Sequence, residues 1–476
     1  MARIRYPKTD IQVLFSVVKR KISDALKGDS YKSRAVRSTA MVLLSFGGEN
    51  FLRLASNLIL TRLLFPEAFG LMALVQVVIT GTTMFSDMGF RGAIVQDKRG
   101  DEPDFLNTAW TLQILRGTLL MLIVLGLANT AAEFYEEPLL AELLTVAAFV
   151  PFIGGFISTR VLTANRTLQL ERLTFIKLGT KLVGVIIMVI LAWQLQSVWA
   201  LVIGNLIGPT LLLICSHTLM KGVKNRPRLE WDATKRLFRY GSFIFLASAS
   251  VFFVNDGDRL ILGKYISLEE LAIYSIALLL ASVPKKLSTA ISSHVIFPLY
   301  ARRPATESEK NRKNLNRARW MITTPLVLAA ACFSFIGDPL VRLLYDVRYE
   351  AAGPVLKLIA LAILPTITVQ SYLRSPLASG HSGRYAAYQI AAGFLHLGLL
   401  LLLVPPMGIL GAILTVPLST LIIYPVMVGM IRPYNTWDPL HDMTFFGLSA
   451  LLSLFVIWYY YDLLAPILAP LLTYIR

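Results

Sequence analysis

Seven cationic side chains interrupt apolar stretches of this sequence, where charge is least easily tolerated. They are Arg53, Arg116, Lys177, Lys181, Lys285, Lys286 and Lys357. An isolated ion is costly in an apolar environment, so retained cations ordinarily face a wet cavity or an ionic partner. Cations that line a cavity can form charge-assisted hydrogen bonds with phosphate oxygens. The pattern therefore predicts a cationic path for an anionic group.

The residues around Lys285 and Lys286 give the clearest indication of a cavity lining. Both lysines follow Pro284, which bends a helix and frees a carbonyl. Successive residues on a helix point about 100° apart, so only one of the two lysines is expected to face a given path. We favour a functional role for Arg116 and for at least one of these lysines.

Structural roles also fit some of these residues. Lys177 is near the end of its apolar stretch and can reach the headgroups, and Lys357 can be an interfacial anchor. Glu49 precedes Arg53 by four residues, as Asp87 precedes Arg91, so each pair can be a structural ion pair on one helical face. The sequence leaves these alternatives open.

Three acidic residues are candidates for coupling transport to protons or sodium ions: Glu49, Asp87 and Asp256. A buried carboxyl group can bind and release a proton, although neutralising a nearby arginine is the simpler role. The sequence has no Gly-x-x-x-x-Gly-Lys-Ser/Thr loop for ATP, no His-Glu-x-x-His motif and no clustered metal ligands. We therefore predict neither an enzyme nor a bound metal or cofactor.

The composition indicates that helices embedded in a membrane carry these residues. The chain has 476 residues, of which 55% are hydrophobic and 16% are charged, with a mean hydropathy of +0.62. Soluble domains have about 25% charged residues. Apolar stretches of about 20 residues, the length that crosses a bilayer as a helix, recur throughout. The sequence predicts an all-α polytopic membrane protein.

We expect thirteen spans. Their predicted ranges are 37–63, 69–93, 105–129, 139–163, 172–193, 198–220, 237–261, 270–298, 320–337, 351–372, 384–404, 407–431 and 442–461. Residues 463–474 are apolar but short and contain two prolines, so the pattern does not decide between an interfacial segment and part of a hairpin.

Basic residues concentrate on one side of these spans. Residues 1–37 contain ten Lys/Arg and three acids, and residues 221–239 and 299–319 each contain seven and two. Residues 131–137, on the other side, contain three acids and no basic residue. The positive-inside rule places the amino terminus in the cytoplasm. The net charge of +17 is therefore explained by topology, without a nucleic-acid partner.

The long basic connection divides the spans into two sets of six. We predict a basic amphipathic tail at 1–36, an N-lobe at 37–222, a cytoplasmic connection at 223–236, a C-lobe at 237–432 and a C-terminal extra span with a short apolar tail at 433–476. A weak internal repeat aligns Glu67 and Gly70 with Glu269 and Ala272. Such repeats suggest two lobes with a pseudo-twofold relation around a central cavity.

Several motifs resemble those of a known family. They are Thr61-Arg-Leu-Leu-Phe-Pro-Glu-Ala-Phe-Gly-Leu-Met-Ala-Leu, Phe85-Ser-Asp-Met-Gly-Phe-Arg-Gly-Ala-Ile-Val-Gln96, Asn107-Thr-Ala-Trp110, Trp199-Ala-Leu-Val-Ile-Gly204, Asp258-Arg-Leu-Ile-Leu-Gly263 and Phe297-Pro-Leu-Tyr300. Their order, from about residue 37 to 432, resembles that of the polysaccharide-transport (Wzx-type) flippases. One departure is at 194–197, where relatives tend to have glycines.

The resemblance implies the multidrug/oligosaccharidyl-lipid/polysaccharide exporter fold. It also implies a bacterial inner-membrane flippase that moves undecaprenyl-pyrophosphate-linked oligosaccharide to the periplasmic leaflet by alternating access. The expected partners are this substrate, membrane lipids and a polysaccharide polymerase, and a single copy suffices. A multidrug or cation exporter of the same superfamily, a polysaccharide polymerase or ligase, and an inactive scaffold are the alternatives.

Overall fold

The computed structural model describes residues 31–86, 89–166 and 170–475. Most of the predicted amphipathic tail and Asp87 lie outside these ranges. The described chain is almost entirely helical, as expected for a backbone that must satisfy its own hydrogen bonds in lipid.

The described residues of the N-lobe form nine helical segments. They are α1 (Tyr31–Leu63), α2 (Pro66–Met84), α3 (Phe90–Gln96), α4 (Pro103–Tyr135), α5 (Leu139–Ala147), α6 (Phe149–Phe156), α7 (Arg160–Arg166), α8 (Leu170–Leu195) and α9 (Trp199–Thr218). The predicted second span at 69–93 is divided, because α2 ends before Gly89, which adopts a left-handed conformation with φ of 59°. Residues 90–96 then form the separate helix α3.

The C-lobe repeats this order of long and divided helices. Its segments are α10 (Trp231–Tyr265), α11 (Leu268–Ile291), a π-helical turn (Ser292–Ile296), α12 (Phe297–Arg302), α13 (Glu309–Leu344), α14 (Ala352–Ala362), α15 (Leu364–Gln370), α16 (Ser375–Ala378), α17 (Ser382–Met407) and α18 (Ile409–Ile431). The divided pair α5–α6 corresponds to α14–α15, and each pair leads through a short helix into a long one. This correspondence agrees with the predicted two-lobe fold, whereas the exact lobe boundaries stay predictions.

Eleven helices in the described part of the chain are long and apolar enough to cross a membrane. Of the thirteen predicted spans, the two outside this set are in α1 and α10, which have 33 and 35 residues and contain several charged side chains. The charged helices thus occupy equivalent places, as the first helix of each lobe.

Helices α2 and α11 cross closely between the lobes. At Gly70, an added Cβ atom would collide with the backbone of Leu268, so the contact requires a residue without a side chain. Pro66 starts α2, and a capping box of Ser267 and Glu270 starts α11. The internal repeat found in the sequence therefore marks the two helix starts that meet at this crossing.

The connection between the lobes is fastened to the N-lobe. The backbone N–H groups of residues 226, 228 and 230 donate hydrogen bonds to the side chains of Asn107, Thr111 and Thr108, with distances of 3.0, 2.9 and 3.1 Å. Arg99 also pairs with Glu230, at 2.8 Å. We call the side of the bundle that contains this connection the basic end.

Two further helices follow the C-lobe: α19 (Pro439–Tyr459) and α20 (Tyr461–Ile475). Helix α19 is the predicted extra span. The apolar segment at 463–474, which the sequence left undecided, forms most of α20 and contains Pro466 and Pro470. Both helices pack on the C-lobe, and α14 and α15 consequently become its most enclosed segments.

Candidate functional site

Helix α1 brings two predicted site residues to the inner wall of the N-lobe. Glu49 Oε1 accepts a hydrogen bond from Ser45 at 2.9 Å, and Arg53 Nη2 donates one to Asn50 at 3.0 Å. Each residue is thus hydrogen-bonded to a polar side chain one helical turn earlier. These contacts stand in place of the Glu49–Arg53 ion pair considered from the sequence. Both side chains line a cavity.

Helix α8 contributes Lys177 and Lys181, one turn apart on the same face, to this cavity. Lys181 is half-buried, and it interacts electrostatically with both Glu49 and Arg53. Close packing places α8 near its neighbours: Gly184 faces the backbone of Gly208 in α9. Helix α8 also packs directly on α1, where Leu178 lies against Gly48, and the two lysines are therefore held beside α1.

The N-lobe cavity has a volume of about 730 Å³. Its wall is formed by α1, α2, α5, α6, α8 and α9. Its charged and polar lining residues are Glu49, Arg53, Ser56, Asn57, Gln76, Lys177, Thr180, Lys181 and Asn205. Apolar side chains, including Phe69 and Met72, complete the wall. The cavity can therefore contact anions, hydroxyl groups and apolar surfaces.

In the C-lobe, α10 carries a compact group of charges. Arg259 Nη1 lies 3.3 Å from Asp256 Oδ1, and Tyr274 donates a hydrogen bond of 2.5 Å to Asp258. The Nε atom of Arg259 is buried without a hydrogen-bond partner among the described residues. Asp256, a predicted coupling residue, is thus tied to an arginine that the sequence analysis did not select.

Lys285 and Lys286 face different surroundings, as their helical spacing predicts. Lys285 interacts electrostatically with Asp256 and Asp258. Lys286 shares Asp256 with Lys285, but it also interacts with Arg259 and, across the lobe interface, with Arg53. Arg53 and Arg259 also repel each other. Cations from the two lobes are therefore near enough to repel one another: we call Arg53, Arg259 and Lys286 the interlobe cations.

Arg116 has a different position. Its Nε donates to Ser86 Oγ at 3.0 Å and its Nη2 to the Thr83 carbonyl at 2.7 Å. A cation at the carboxyl end of a helix satisfies free carbonyls and matches the helix dipole. The contacts of Arg116 thus support the end of α2, and Arg116 is outside the residues that line the N-lobe cavity.

Lys357 lies apart from the residues that line the N-lobe cavity. It is 0% exposed, and its Nζ pairs with Asp338 at 2.9 Å. The ammonium also donates to the carbonyls of Ser334 and Phe335 and lies 3.7 Å from the Tyr460 ring centre. The ion partner and the covering ring enclose this charge inside the C-lobe, away from the expected path and from the interface.

The remaining residues of the candidate site differ in how clearly the sequence indicates them. Asp87 lies outside the described residues, so its predicted role stays a prediction. Arg259 falls within the Asp258-Arg-Leu motif, where it could have been selected as another cation in an apolar stretch. Asn57, Gln76 and Asn205 had no such signal, because uncharged polar residues are common in helices of this kind.

The lobes are joined at the end of the bundle opposite the basic end. Tyr135 donates to the Leu260 carbonyl at 3.0 Å, and Lys264 pairs with Glu136 at 2.6 Å. The hydrogen bond from Lys264 holds the pKa of Glu136 below its usual range. Tyr345 adds a bond of 3.2 Å to Asn57. We call these contacts the closed seam.

A family described as polysaccharide biosynthesis protein matches residues 59–354, more than half of the chain. The matched region includes α2, α8 and α10, but Arg53 and Glu49 precede it.

Curated relatives are similar at low identity. The teichuronic acid biosynthesis protein TuaB of Bacillus subtilis is 22% identical over 58% of this chain and 57% of its own length. The succinoglycan biosynthesis transport protein ExoT of Rhizobium meliloti is 22% identical over 71% of this chain and 68% of its own. The lipopolysaccharide biosynthesis protein WzxC of Escherichia coli is 22% identical over 65% and 62%. The match with the first of these relatives spans little more than half of its length.

Solved structures show the same fold. The lipid II flippase MurJ, in an inward closed conformation, superposes with a TM-score of 0.63 at 12% identity and covers 89% of this chain and 99% of its own. An inward-facing multidrug resistance MATE family transporter of the MOP superfamily has a TM-score of 0.60 at 13% identity, and the match covers 81% of this chain and 95% of the transporter. An outward-facing MATE transporter gives 0.52 at 18% identity, covering 87% and 97%. The predicted all-helical exporter fold is confirmed.

Proposed function

Because this chain belongs to the family of polysaccharide biosynthesis proteins, we propose that it is a flippase for undecaprenyl-pyrophosphate-linked oligosaccharide. The observation that carries the proposal is the meeting of Arg53, Arg259 and Lys286 at the lobe interface. The relatives' names and the shared fold support a transporter rather than an enzyme.

The interlobe cations provide a reason to bind a multiply charged anion. Like charges that face each other across the interface repel, so bringing Arg53, Arg259 and Lys286 near one another costs free energy. Asp256 compensates Arg259 and Lys286 in part, whereas Arg53 repels Lys286 from the other lobe. A pyrophosphate placed between them would replace repulsion with charge-assisted hydrogen bonds. A cation exporter would be opposed by the same field.

The N-lobe cavity is suited to the saccharide. Its volume of about 730 Å³ is within the range of about 300–1,000 Å³ that small-molecule sites occupy. Asn57, Gln76 and Asn205 offer donors and acceptors for sugar hydroxyls, and Phe69 offers an apolar surface for a sugar ring. In this arrangement Lys177 and Lys181 lie beside the bound saccharide, and the polyprenyl chain remains in lipid.

The closed seam indicates which side of the membrane this conformation opens to. We assign the basic end to the cytoplasm, on the positive-inside rule, and place the protein in the inner membrane. The seam then closes the periplasmic side, and a larger similarity to inward-facing than to outward-facing structures supports this state. Rocking of the lobes would open the seam and deliver the substrate to the periplasmic leaflet, where a polymerase can use it.

Glu49 and Asp256 are the described candidates for coupling to protons or sodium ions. Each lies next to a proposed substrate-binding cation, Glu49 near Lys181 and Asp256 near Arg259. Loading of either carboxylate would therefore change the charge that the substrate meets. This position favours a mechanism in which the coupling ion and the substrate compete for the same charged groups, over one in which ion binding acts through a distant conformational change.

The test replaces interlobe cations with a neutral polar side chain. Arg53→Gln and Lys286→Gln, singly and together, are expressed in a host whose own flippase gene is deleted. Lys221→Gln, in the exposed connection, is the matched control. Surface polysaccharide and the amount of protein in the membrane are measured together, and purified variants are tested for binding of a pyrophosphate-linked saccharide in liposomes.

A hydrogen bond to a charged group contributes about 1.5–3 kcal/mol, so each replacement should weaken binding by roughly 10- to 150-fold. We expect the double variant to accumulate lipid-linked intermediate and make little surface polysaccharide, while the control remains normal. Normal polysaccharide from the double variant, at normal membrane levels, would refute the role of the interlobe cations.

A further inference from the structure

A groove on the outer surface of the C-lobe lies between the start of α17 and the end of α18. Its volume is about 450 Å³. The residues that line it are Arg384, Ala387, Tyr388, Val426, Gly429, Met430 and Pro433. None of them lines the N-lobe cavity, so the groove is separate from the proposed substrate path. We call it the outer groove.

The direction of α17 places the outer groove at the basic end. Gly393 of α17 lies against Ser250 of α10, and Leu400 lies against Gly257. Residue numbers therefore rise together along the two helices, which run parallel and begin at the same end. Helix α10 begins directly after the interlobe connection. Arg384, in the first turn of α17, thus lies on the side that the positive-inside rule assigns to the cytoplasm.

The surface around the outer groove is apolar and exposed, as a surface in contact with lipid is. Ala387 and Phe394 are exposed on α17, and Ile422 and Val426 continue this surface on α18. Both helices are long and apolar enough to cross a membrane. Small residues make room between them, since a Cβ atom added at Gly429 would have nothing within 4 Å. An acyl chain can occupy this space.

Two arginines border the outer groove. Arg384 lines it, and Arg432 is exposed one turn beyond Gly429. Neither arginine forms an ion pair within the described residues, and Arg384 donates a hydrogen bond of 3.4 Å to the Tyr434 hydroxyl. The first turn of α17 contains no acidic residue, and a cation there is opposed by the helix dipole. Arg384 therefore does not stabilise the start of its own helix, and its charge is available to an external anion.

A phospholipid with a net negative headgroup fits both parts of the outer groove. Its phosphate can accept charge-assisted hydrogen bonds from the guanidinium groups, while an acyl chain covers the apolar part. The cytoplasmic leaflet contains anionic lipids, and basic pockets between transmembrane helices on this side bind their headgroups. A soluble phosphate would use only the charged part of the groove.

We propose that the outer groove is a binding site for an anionic phospholipid of the cytoplasmic leaflet. Arg384 and Arg432 contact its headgroup, and one acyl chain lies against Ala387, Val426 and Gly429. The site selects the lipid by the charge of the headgroup. This inference is independent of the proposed substrate, because the site shares no residue with the N-lobe cavity or with the interlobe cations.

Photo-crosslinking locates the lipid on the full chain. The purified protein is reconstituted in phosphatidylcholine liposomes that contain a trace of phosphatidylglycerol with a diazirine in one acyl chain. Parallel liposomes contain phosphatidylcholine with the same photoactivatable chain. After illumination, mass spectrometry of peptides measures the lipid attached within residues 384–391 and 426–433.

We expect phosphatidylglycerol to label the outer groove at least about fivefold more than phosphatidylcholine, since each arginine near an anionic headgroup accounts for about fivefold in binding. Arg384→Gln should lower this preference about fivefold, and Arg384→Lys should retain most of it. Arg303→Gln, at an exposed position of the same end, is the matched control and should leave the preference unchanged. Equal labelling by the two lipids in the unaltered protein would overturn the proposal.

A second pair of variants tests the space without changing the charge. Gly429→Leu fills the outer groove and should reduce labelling by both lipids. Gly398→Leu is its control, because Gly398 is exposed on α17 outside the groove and also has nothing within 4 Å of an added Cβ atom. Unchanged labelling in Gly429→Leu would overturn the proposal. If this variant does not accumulate, Arg384→Gln, at an exposed position, still tests it.

Competition separates a phospholipid from the transported headgroup. Unlabelled phosphatidylglycerol and unlabelled undecaprenyl pyrophosphate are added in separate series. We expect phosphatidylglycerol to displace the probe at equal or lower concentration. Displacement by undecaprenyl pyrophosphate at a much lower concentration would assign the groove to the transported headgroup and overturn the proposal.

Discussion

The enclosed Lys357–Asp338 pair makes a quantitative prediction. Lys357 is 0% exposed, whereas the Asp338 side chain is 20% exposed, and their charged atoms are 2.9 Å apart. Removing one partner of a buried pair costs about 3–5 kcal/mol, because the other charge remains without compensation. Asp338→Asn leaves the fully enclosed ammonium and should approach this cost. Lys357→Met leaves a carboxylate that water can reach and should cost less.

The combination of both replacements separates an ion pair from two independent effects. In Lys357→Met/Asp338→Asn no buried charge is left, so the loss should be smaller than the sum of the single losses. Thermal unfolding of the purified protein in detergent measures the cycle. The exposed pair Lys264–Glu136 provides a matched comparison, in which the same cycle should show much weaker coupling.

Two outcomes would contradict this interpretation of Lys357. Additive losses would show that the pair contributes no coupling to stability. Loss of surface polysaccharide in Lys357→Met at unchanged thermal stability and membrane level would return Lys357 to the substrate path. We expect transport to persist at temperatures where the variant stays folded.

Two further predictions concern the crossing of the lobes and the connection. Gly70→Val should force α2 and α11 apart and lower the free energy of unfolding by about 1–3 kcal/mol or more, so less folded protein should reach the membrane. Gly126→Val, with open space around it, should be tolerated. Equal membrane levels of both variants would argue against the close crossing. The hydrogen bond with Arg99 holds the pKa of Glu230 below its usual range, so its stabilising effect is present above the ordinary glutamate pKa of about 4.3 and is lost as the pH falls through the lowered value. Glu230→Gln should therefore reduce the loss of thermal stability between about pH 5 and 3, and an unchanged pH profile would contradict this contribution.

Hydropathy located the helices well because crossing a bilayer requires long apolar segments whatever their packing. It could not find the end of α2. The left-handed backbone at Gly89 interrupts the helix without interrupting the apolar composition, so the predicted span continued to residue 93. The internal repeat at Gly70 was detectable, since a close crossing limits which residues can be used at both helix starts.

The candidate site was harder to predict, because a cation in an apolar segment does not reveal what it faces. Arg53 and Lys357 look alike in the sequence, yet one lines a cavity and the other is enclosed with Asp338. The partner of Lys357 lies at the end of the preceding long helix, 19 positions earlier, so only the packing of α13 against α14 brings them together.

The fastening of the interlobe connection sets where any rotation between the lobes can begin. Alternate backbone N–H groups at 226, 228 and 230 are hydrogen-bonded to α4, so this stretch moves together with the N-lobe. A flexible linker would tolerate extra residues at any position. Here, a single residue inserted between 226 and 230 would turn the following backbone N–H groups away from their side-chain acceptors on α4. Arg160 also holds the carbonyls of Met220 and Val223 just before this stretch, so an insertion there would disturb the same attachment.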